Sequence, residues 1–253
     1  MGLGLDSNFV SSTAWYEYNP TSNSWIQKAP LPAAGRWDGF SFATDSFGYV
    51  ISGSTNNGYT PQVWQYNPYN NTWTQKSNFP GSARQGLRGF VIGSKAFIGC
   101  GRDATTFVLD DFYEYDIVND SWSQKANVPG GGRNHPTSFE INGKGYLGLG
   151  DSTDGLNYHT DFYEYNSSND TWIQKADYLY RVQATTVYHS GTAGYLLGGV
   201  NYNYHGLRHN QFNLLYKYTP TNNTWTFDAT FPGLPRGFAG GFQIGQDLYY
   251  GLG

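Results

Sequence analysis

A tyrosine followed seven residues later by a tryptophan recurs five times along the chain, and no other feature constrains the fold as tightly. The pairs are Tyr18 and Trp25, Tyr66 and Trp73, Tyr115 and Trp122, Tyr165 and Trp172, and Tyr218 and Trp225. Successive tryptophans lie 48, 49, 50 and 53 residues apart, a period that marks an array of supersecondary units. Between the partners of each pair sit turn formers, as in Asn19-Pro20-Thr21-Ser22-Asn23-Ser24. Asn and Asp tolerate positive φ and close tight hairpins, so each stretch reads as strand, turn, strand.

Other positions keep the same phase. An arginine follows each tryptophan: Arg36, Arg84, Arg133, Arg181 and Arg236, 11 residues on in four copies and 9 in the fourth. Pro32, Pro80, Pro129 and Pro232 stand seven residues after Trp, where a residue without an N–H suits a crossing between sheets. Six residues after each arginine comes an apolar residue (Phe42, Phe90, Phe139, Val187, Phe242), and then a strand that ends in glycine, as in Gly99-Cys100-Gly101 or Leu197-Gly198-Gly199. Each repeat therefore holds four short strands: an Arg-led strand, a Gly-ended strand, a Tyr strand and a Trp strand. Strands at this spacing without helical periodicity predict an all-β array. A four-stranded sheet this aromatic buries both faces only by stacking copies around an axis. Lys28, Lys76, Lys125 and Lys175 sit on the Trp strand, where lysine on an outer edge blocks edge-to-edge pairing.

The Arg, Gly-Gly, Tyr, Trp order resembles the kelch repeat, with the double glycine intact at Gly198-Gly199 and relaxed elsewhere. The resemblance covers nearly all 253 residues and implies a β-propeller. Because Gly2-Leu3-Gly4 and Gly251-Leu252-Gly253 stand at the same phase, we expect one all-β domain over 1–253. It has five four-stranded blades, and the ring closes where N-terminal and C-terminal strands pair in one composite blade. The halves of that blade are 1–32 and 233–253, and the repeats between them 33–80, 81–129, 130–179 and 180–232. Kelch propellers more commonly have six or seven blades, so a piece of a longer propeller or an engineered array is the alternative.

Composition narrows the function. Charged residues make up 13%, against about a quarter in typical domains, and the net charge of −4 gives no drive toward nucleic acid or an anionic membrane. No apolar run approaches a membrane span. The single cysteine, Cys100, forbids an internal disulfide. The chain shows no signal peptide, while its wealth of Asn, Ser, Thr and Tyr and scarcity of Lys match secreted or periplasmic proteins.

The resemblance implies a ligand site at one mouth of the channel, where the loop before the Arg strand meets the loop after the Gly strand. On this chain those loops hold Arg36, Trp37, Asp38, Arg84, Arg88, Arg133, Asn134, His135, Arg181 and Arg236, facing Tyr158, His159, Tyr202, Tyr204 and His205. A ring of guanidinium groups at one mouth suits carboxylate, sulfate or an acidic peptide. Arginine in every repeat equally suits a structural tie between blades. Residues that differ between repeats, such as Trp37 and His135, and the long loop 200–213 are better functional candidates. A metal is not expected: the Glu-x-x-x-Asp-x-x-x-His pattern of plant specifier proteins is absent, and so is a Tyr–Cys pair of the galactose oxidase kind. No cofactor is expected, and no Gly-x-Ser-x-Gly elbow occurs. The expected role is a monomeric binding or interaction scaffold for a protein, peptide or glycan. The alternative is a sugar-active enzyme of the kelch mutarotase type, although no convergent acid/base pair is visible in the sequence.

Overall fold

Each Tyr-to-Trp stretch folds into the predicted hairpin. In a computed structural model, described over residues 1–152, 158–202, 209–244 and 247–251, the chain is all β. The strands are β1 (Trp15–Asn19), β2 (Ser24–Lys28), β3 (Phe40–Ala43), β4 (Gly48–Ile51), β5 (Ser54–Thr55), β6 (Gly58–Tyr59), β7 (Val63–Asn67), β8 (Thr72–Lys76), β9 (Arg88–Ile92), β10 (Lys95–Gly99), β11 (Phe112–Asp116) and β12 (Ser121–Lys125). They continue with β13 (Thr137–Ile141), β14 (Lys144–Gly148), β15 (Phe162–Asn166), β16 (Thr171–Gln174), β17 (Thr186–Ser190), β18 (Ala193–Leu197), β19 (Val200–Tyr202), β20 (His209–Gln211), β21 (Leu214–Thr219), β22 (Thr224–Thr230), β23 (Gly240–Ile244) and β24 (Asp247–Gly251). Four antiparallel four-stranded sheets result: β3-β4-β7-β8, β9-β10-β11-β12, β13-β14-β15-β16 and β17-β18-β21-β22. These are blades one to four, each in the order Arg strand, Gly strand, Tyr strand, Trp strand.

The blades stack face to face, and the core lies between them. Phe139 and Tyr146 of blade three meet Tyr218 of blade four at ring distances of 6.5 and 5.5 Å, and Phe139 meets Trp225 at 6.5 Å. Gly145 shows how close the sheets come: a Cβ there would lie 1.9 Å from the Phe90 ring of the preceding blade.

One polar device repeats where each of the four complete blades meets its predecessor. The Tyr hydroxyl donates to an Asn or Asp five residues on, at 2.8 Å for Tyr66 to Asn71, 2.6 Å for Tyr115 to Asp120, 2.7 Å for Tyr165 to Asp170 and 2.9 Å for Tyr218 to Asn223. That residue holds φ between 52° and 57°, as the hairpin turn requires. The same oxygen accepts a backbone N–H of the preceding blade, from Ala29, Ser77, Ala126 and Ala176 in turn. The Trp indole then donates to the carbonyl of that same residue, at 2.9, 3.0, 3.0 and 3.1 Å. Each blade thus grips one residue of its predecessor by both backbone groups.

The two ends of the chain correct the expected closure. Strands β1-β2 and β23-β24 form separate two-stranded sheets with no shared ladder. Tyr18 instead packs against Phe242 and Tyr249 at 6.0 and 5.5 Å, and Trp25 lies 6.3 Å from Phe242. These are the contacts that Tyr218 and Trp225 make with the blade before theirs. Within one blade the same residues are on opposite faces, since Tyr146 stands opposite Glu164 and so faces away from Tyr165. The ends therefore stack as successive half-blades and do not merge into one. Equal phase at the two termini is compatible with either arrangement, and side-chain face is what separates them.

Trp225 is 9% exposed and Trp25 49%. Trp225→Ala should lower stability by about 3–5 kcal/mol and Trp25→Ala by less than about 1 kcal/mol. Urea denaturation midpoints of the two variants check the contrast.

Candidate ligand site at the channel mouth

The inner strands β3, β9, β13 and β17 enclose a cavity of about 420 Å³, and Arg88, Ser138, Glu140 and His189 are among its polar walls. At one end the loop before each Arg strand pairs with the loop after the Gly strand through single bridges: Trp37 with Ser54, Gln85 with Arg102, Asn134 with Asp151 and Gln183 with Val200. The following residue in each repeat turns into the left-handed region: Asp38, Gly86, His135, Ala184 and Phe238, with φ of 56°, 67°, 49°, 52° and 55°. Only glycine adopts this region without strain. Blade-to-blade backbone bonds hold the others there, from Gly86 N to Asp38 O at 2.9 Å, His135 N to Gly86 O at 3.0 Å and Phe238 N to Ala184 O at 3.1 Å. Glycine is needed at 86 on a second count, because a Cβ there would lie 1.9 Å from Asn134 Oδ1.

This ring brings together residues that are distant in sequence. His135 Nε2 donates to Asp38 Oδ2 at 2.6 Å and Nδ1 to Gln183 Oε1 at 3.0 Å. Asp151 Oδ1 lies 3.7 Å from Nδ1, and Arg88 flanks Asp38 at 3.7 Å. Phe238 packs edge-on against the imidazole at 5.1 Å. Burial opposes protonation of His135, but the charge of Asp38, the nearby Asp151 carboxylate and the hydrogen bond to Asp38 outweigh it and raise the pKa to about 9. Burial also pushes the Asp38 carboxyl up, and His135 and Arg88 more than reverse this, holding it below its ordinary value. Beside this ion pair, Asp151 Oδ1 is buried without a hydrogen-bond partner, and the Asn134 amide lies against His135 Nδ1 at 2.8 Å.

The arginines take the structural role. Arg36, Arg84 and Arg133 are at most 1% exposed. Arg133 makes a two-pronged pair with Asp161 at 2.9 and 3.0 Å and donates to the Leu149 and Pro129 carbonyls. Arg84 does the same with Asp111 and the Cys100 carbonyl. Arg36 meets Gln62 in place of a carboxylate, and burial pushes its pKa down to about 10. Guanidinium groups engaged in this way are closed to a ligand, which corrects their placement in the site. Arg181 is a second correction. It is exposed, and Val182 occupies the repeat position, its carbonyl accepting from Gly150 N as Arg133 O accepts from Gly101 N. Arg236 is half-buried and lies over the Tyr250 ring at 5.8 Å.

Of the remaining candidates, Trp37 is half-buried at the mouth, Tyr158 is buried and pairs with Asp151, and His159 Nε2 donates to Gly132 O at 3.2 Å. Tyr202 ends β19, and Tyr204 and His205 lie outside the described residues. Among the described residues no group of three or more His, Cys, Asp or Glu side chains is arranged to hold a metal ion. Gln183 and Phe238 were not anticipated. Their signal is positional, since each follows the Arg position of its repeat by one or two residues.

No protein-family model matches the chain, and no curated protein sequence does. Among solved structures, the one titled "Structure of YjhT" superposes with a TM-score of 0.78 at 18% identity, over 94% of this chain and 82% of that one. At this identity the likeness speaks for the fold alone, and it supports a propeller.

Removing the Arg133 guanidinium strands the Asp161 carboxylate. Arg133→Ala should therefore cost about 3–5 kcal/mol, measured by chemical denaturation. His135 gives a pH signature. Its folded pKa lies above the unfolded value of about 6.5, so its protonation stabilises the fold fully below that pH and ceases to do so as pH rises through about 9. The stability advantage of the wild type over His135→Gln should shrink between about pH 6 and pH 9.5, as read from denaturation midpoints.

Proposed function

We propose that this chain is a kelch-type propeller acting as a binding module, which takes a protein, peptide or glycan at the mouth described above. The observation that carries the reading is the buried Asp151 Oδ1, an acceptor without a hydrogen-bond partner, beside a fixed His135–Asp38 ion pair. A buried acceptor without a donor is costly, and native proteins leave few of them. A hydroxyl or N–H group of a sugar or peptide supplies the missing donor. Arg88 is the guanidinium suited to a ligand's acceptors: it lines the cavity, and its side chain retains 24% exposure. The mutarotase reading needs a proton acceptor at this mouth. His135, protonated with a pKa of about 9, holds its proton too firmly for that task near neutrality.

Screening the protein against glycan and peptide arrays tests the proposal. A ligand found there should bind Arg88→Ala and Asp151→Asn at least about tenfold more weakly, a loss of roughly 1.4 kcal/mol. The melting temperature of Arg88→Ala should stay close to wild type. Turnover of a sugar anomer that is lost in His135→Gln would overturn the binding-module reading.

A further inference from the structure

A second guanidinium stands at the mouth, and it is not tied as Arg36, Arg84 and Arg133 are. Arg102 is held through its backbone on both sides, by bridges to Gln85 and Val108. It takes the place that Ser54 fills in blade one, Asp151 in blade three and Val200 in blade four. Its guanidinium is laid over the Phe107 ring at 5.2 Å. Among the described residues that guanidinium donates no hydrogen bond and pairs with no carboxylate. The carboxylate next to it in sequence is committed elsewhere. Asp103 is 5% exposed, and its Oδ1 accepts the backbone N–H groups of Thr105 and Thr106 at 3.0 and 2.7 Å.

Phe107 is out of keeping with its backbone. Its φ is 70°, a conformation that is costly for a bulky side chain, and at 47% exposure its burial does little to offset the strain. In blade one the residue just before the return bridge is Gly58, at φ 109°. A glycine therefore suffices for the turn. What phenylalanine adds is a flat face beneath Arg102, which fixes the guanidinium plane and leaves its N–H edge open to a ligand. The bonds to Asp103, together with that from Asp103 N to Phe107 O at 2.9 Å, set this turn before any ligand arrives.

We infer that Arg102, laid over Phe107, is a rim subsite for a carboxylate side chain, Asp or Glu, of a docked peptide. The inference rests on the binding-module reading above and names its ligand class. A guanidinium held flat offers paired N–H groups, the geometry that matches a carboxylate. Arg102 lies outside the residues that line the channel, whereas Arg88 of the same blade is among them. The group that Arg102 holds is therefore one that projects over the rim, as a side chain of a peptide seated on the mouth does. Asp151 occupies the equivalent place on the next blade, and a peptide N–H supplies the donor its Oδ1 lacks. The net charge of −4 disfavours acidic partners over the rest of the surface, so a local free cation directs where they dock.

The test titrates the full chain with fluorescein-labelled hexaglutamate and reads anisotropy. Binding should saturate, weaken as salt is raised and be absent with hexaglutamine. Arg102→Ala should weaken it at least about tenfold and Phe107→Gly at least about threefold. The melting temperature of Arg102→Ala should stay close to wild type, and that of Phe107→Gly should be unchanged or higher, because glycine relieves the left-handed turn. A clear fall in the melting temperature of Phe107→Gly would overturn the inference by making the stacked pair a brace for the loop. Hexaglutamate that fails to bind, or that binds Arg102→Ala as well as wild type, would overturn it too. Tighter, Arg102-dependent binding of an oligogalacturonate would make an acidic glycan the occupant in place of a peptide. Failure of the binding-module reading is seen separately, in the array ligands and the Arg88→Ala and Asp151→Asn variants. An array ligand weakened by those two substitutions but indifferent to Arg102→Ala would leave the module standing and remove the rim subsite.

Discussion

The structure depends on a grip that each blade keeps on the one before it. A sheet packed on a sheet through aromatic rings is strongly held but poorly indexed, because rings slide at little cost. The Tyr–Asx–Trp clamp supplies the index. The Asn or Asp oxygen takes a backbone N–H of the neighbouring blade and the indole takes the carbonyl of that same residue, so the next sheet is fixed along and across its strands. The tyrosine hydroxyl orients the Asx side chain, and the turn between the two strands demands the left-handed conformation that Asn and Asp tolerate. One short hairpin therefore answers for turn, core and inter-blade register together, which is why its residues recur so faithfully.

The inner ends of the blades are held differently. Buried Arg84 and Arg133 tie the start of their own Tyr strand to the end of the Gly strand by pairing with Asp111 and Asp161. Burying such ions is costly, and the two-pronged geometry with extra carbonyl bonds offsets that cost. The tie leaves the residue two places on, at the axis, free to vary. Asp38, Gly86, His135, Ala184 and Phe238 share one backbone conformation and little chemistry. A scaffold that fixes the backbone and frees the side chain at this end of the blades lets the chemistry there change without refolding the blades.

The repeat was legible because its constraints are local: the Tyr-to-Trp hairpin, the glycine at the strand end and the proline at the crossing each act within one unit. Arg181 shows where local reading slips. The fourth repeat is shorter before that position, and an arginine one residue away drew the assignment that Val182 takes in space. The arginine ring was legible as a position but not as a role, because the deciding partners, Asp111 and Asp161, stand 27 and 28 residues further on. His135 could be named as a departure from the repeat and Asp38 as a residue of the same loops. Their pairing across 97 residues could not, since it exists only once three blades have been laid side by side.

The chain ends teach the same lesson about edges and faces. Phase tells which strand of a blade a segment supplies, and Gly2 and Gly251 do occupy equivalent places in their sheets. It does not tell whether two complementary halves meet edge to edge or face to face, because both arrangements bury the same aromatic residues. What decides is pleat. Tyr18 and Trp25 lie on the face that looks toward the preceding blade, and Phe242 and Tyr249 on the face that looks toward the following one. Bringing those faces together satisfies the rings, whereas pairing the edges would turn them away from each other. Ring packing therefore holds the two halves a blade apart, and the unpaired edges that result are the cost of that choice.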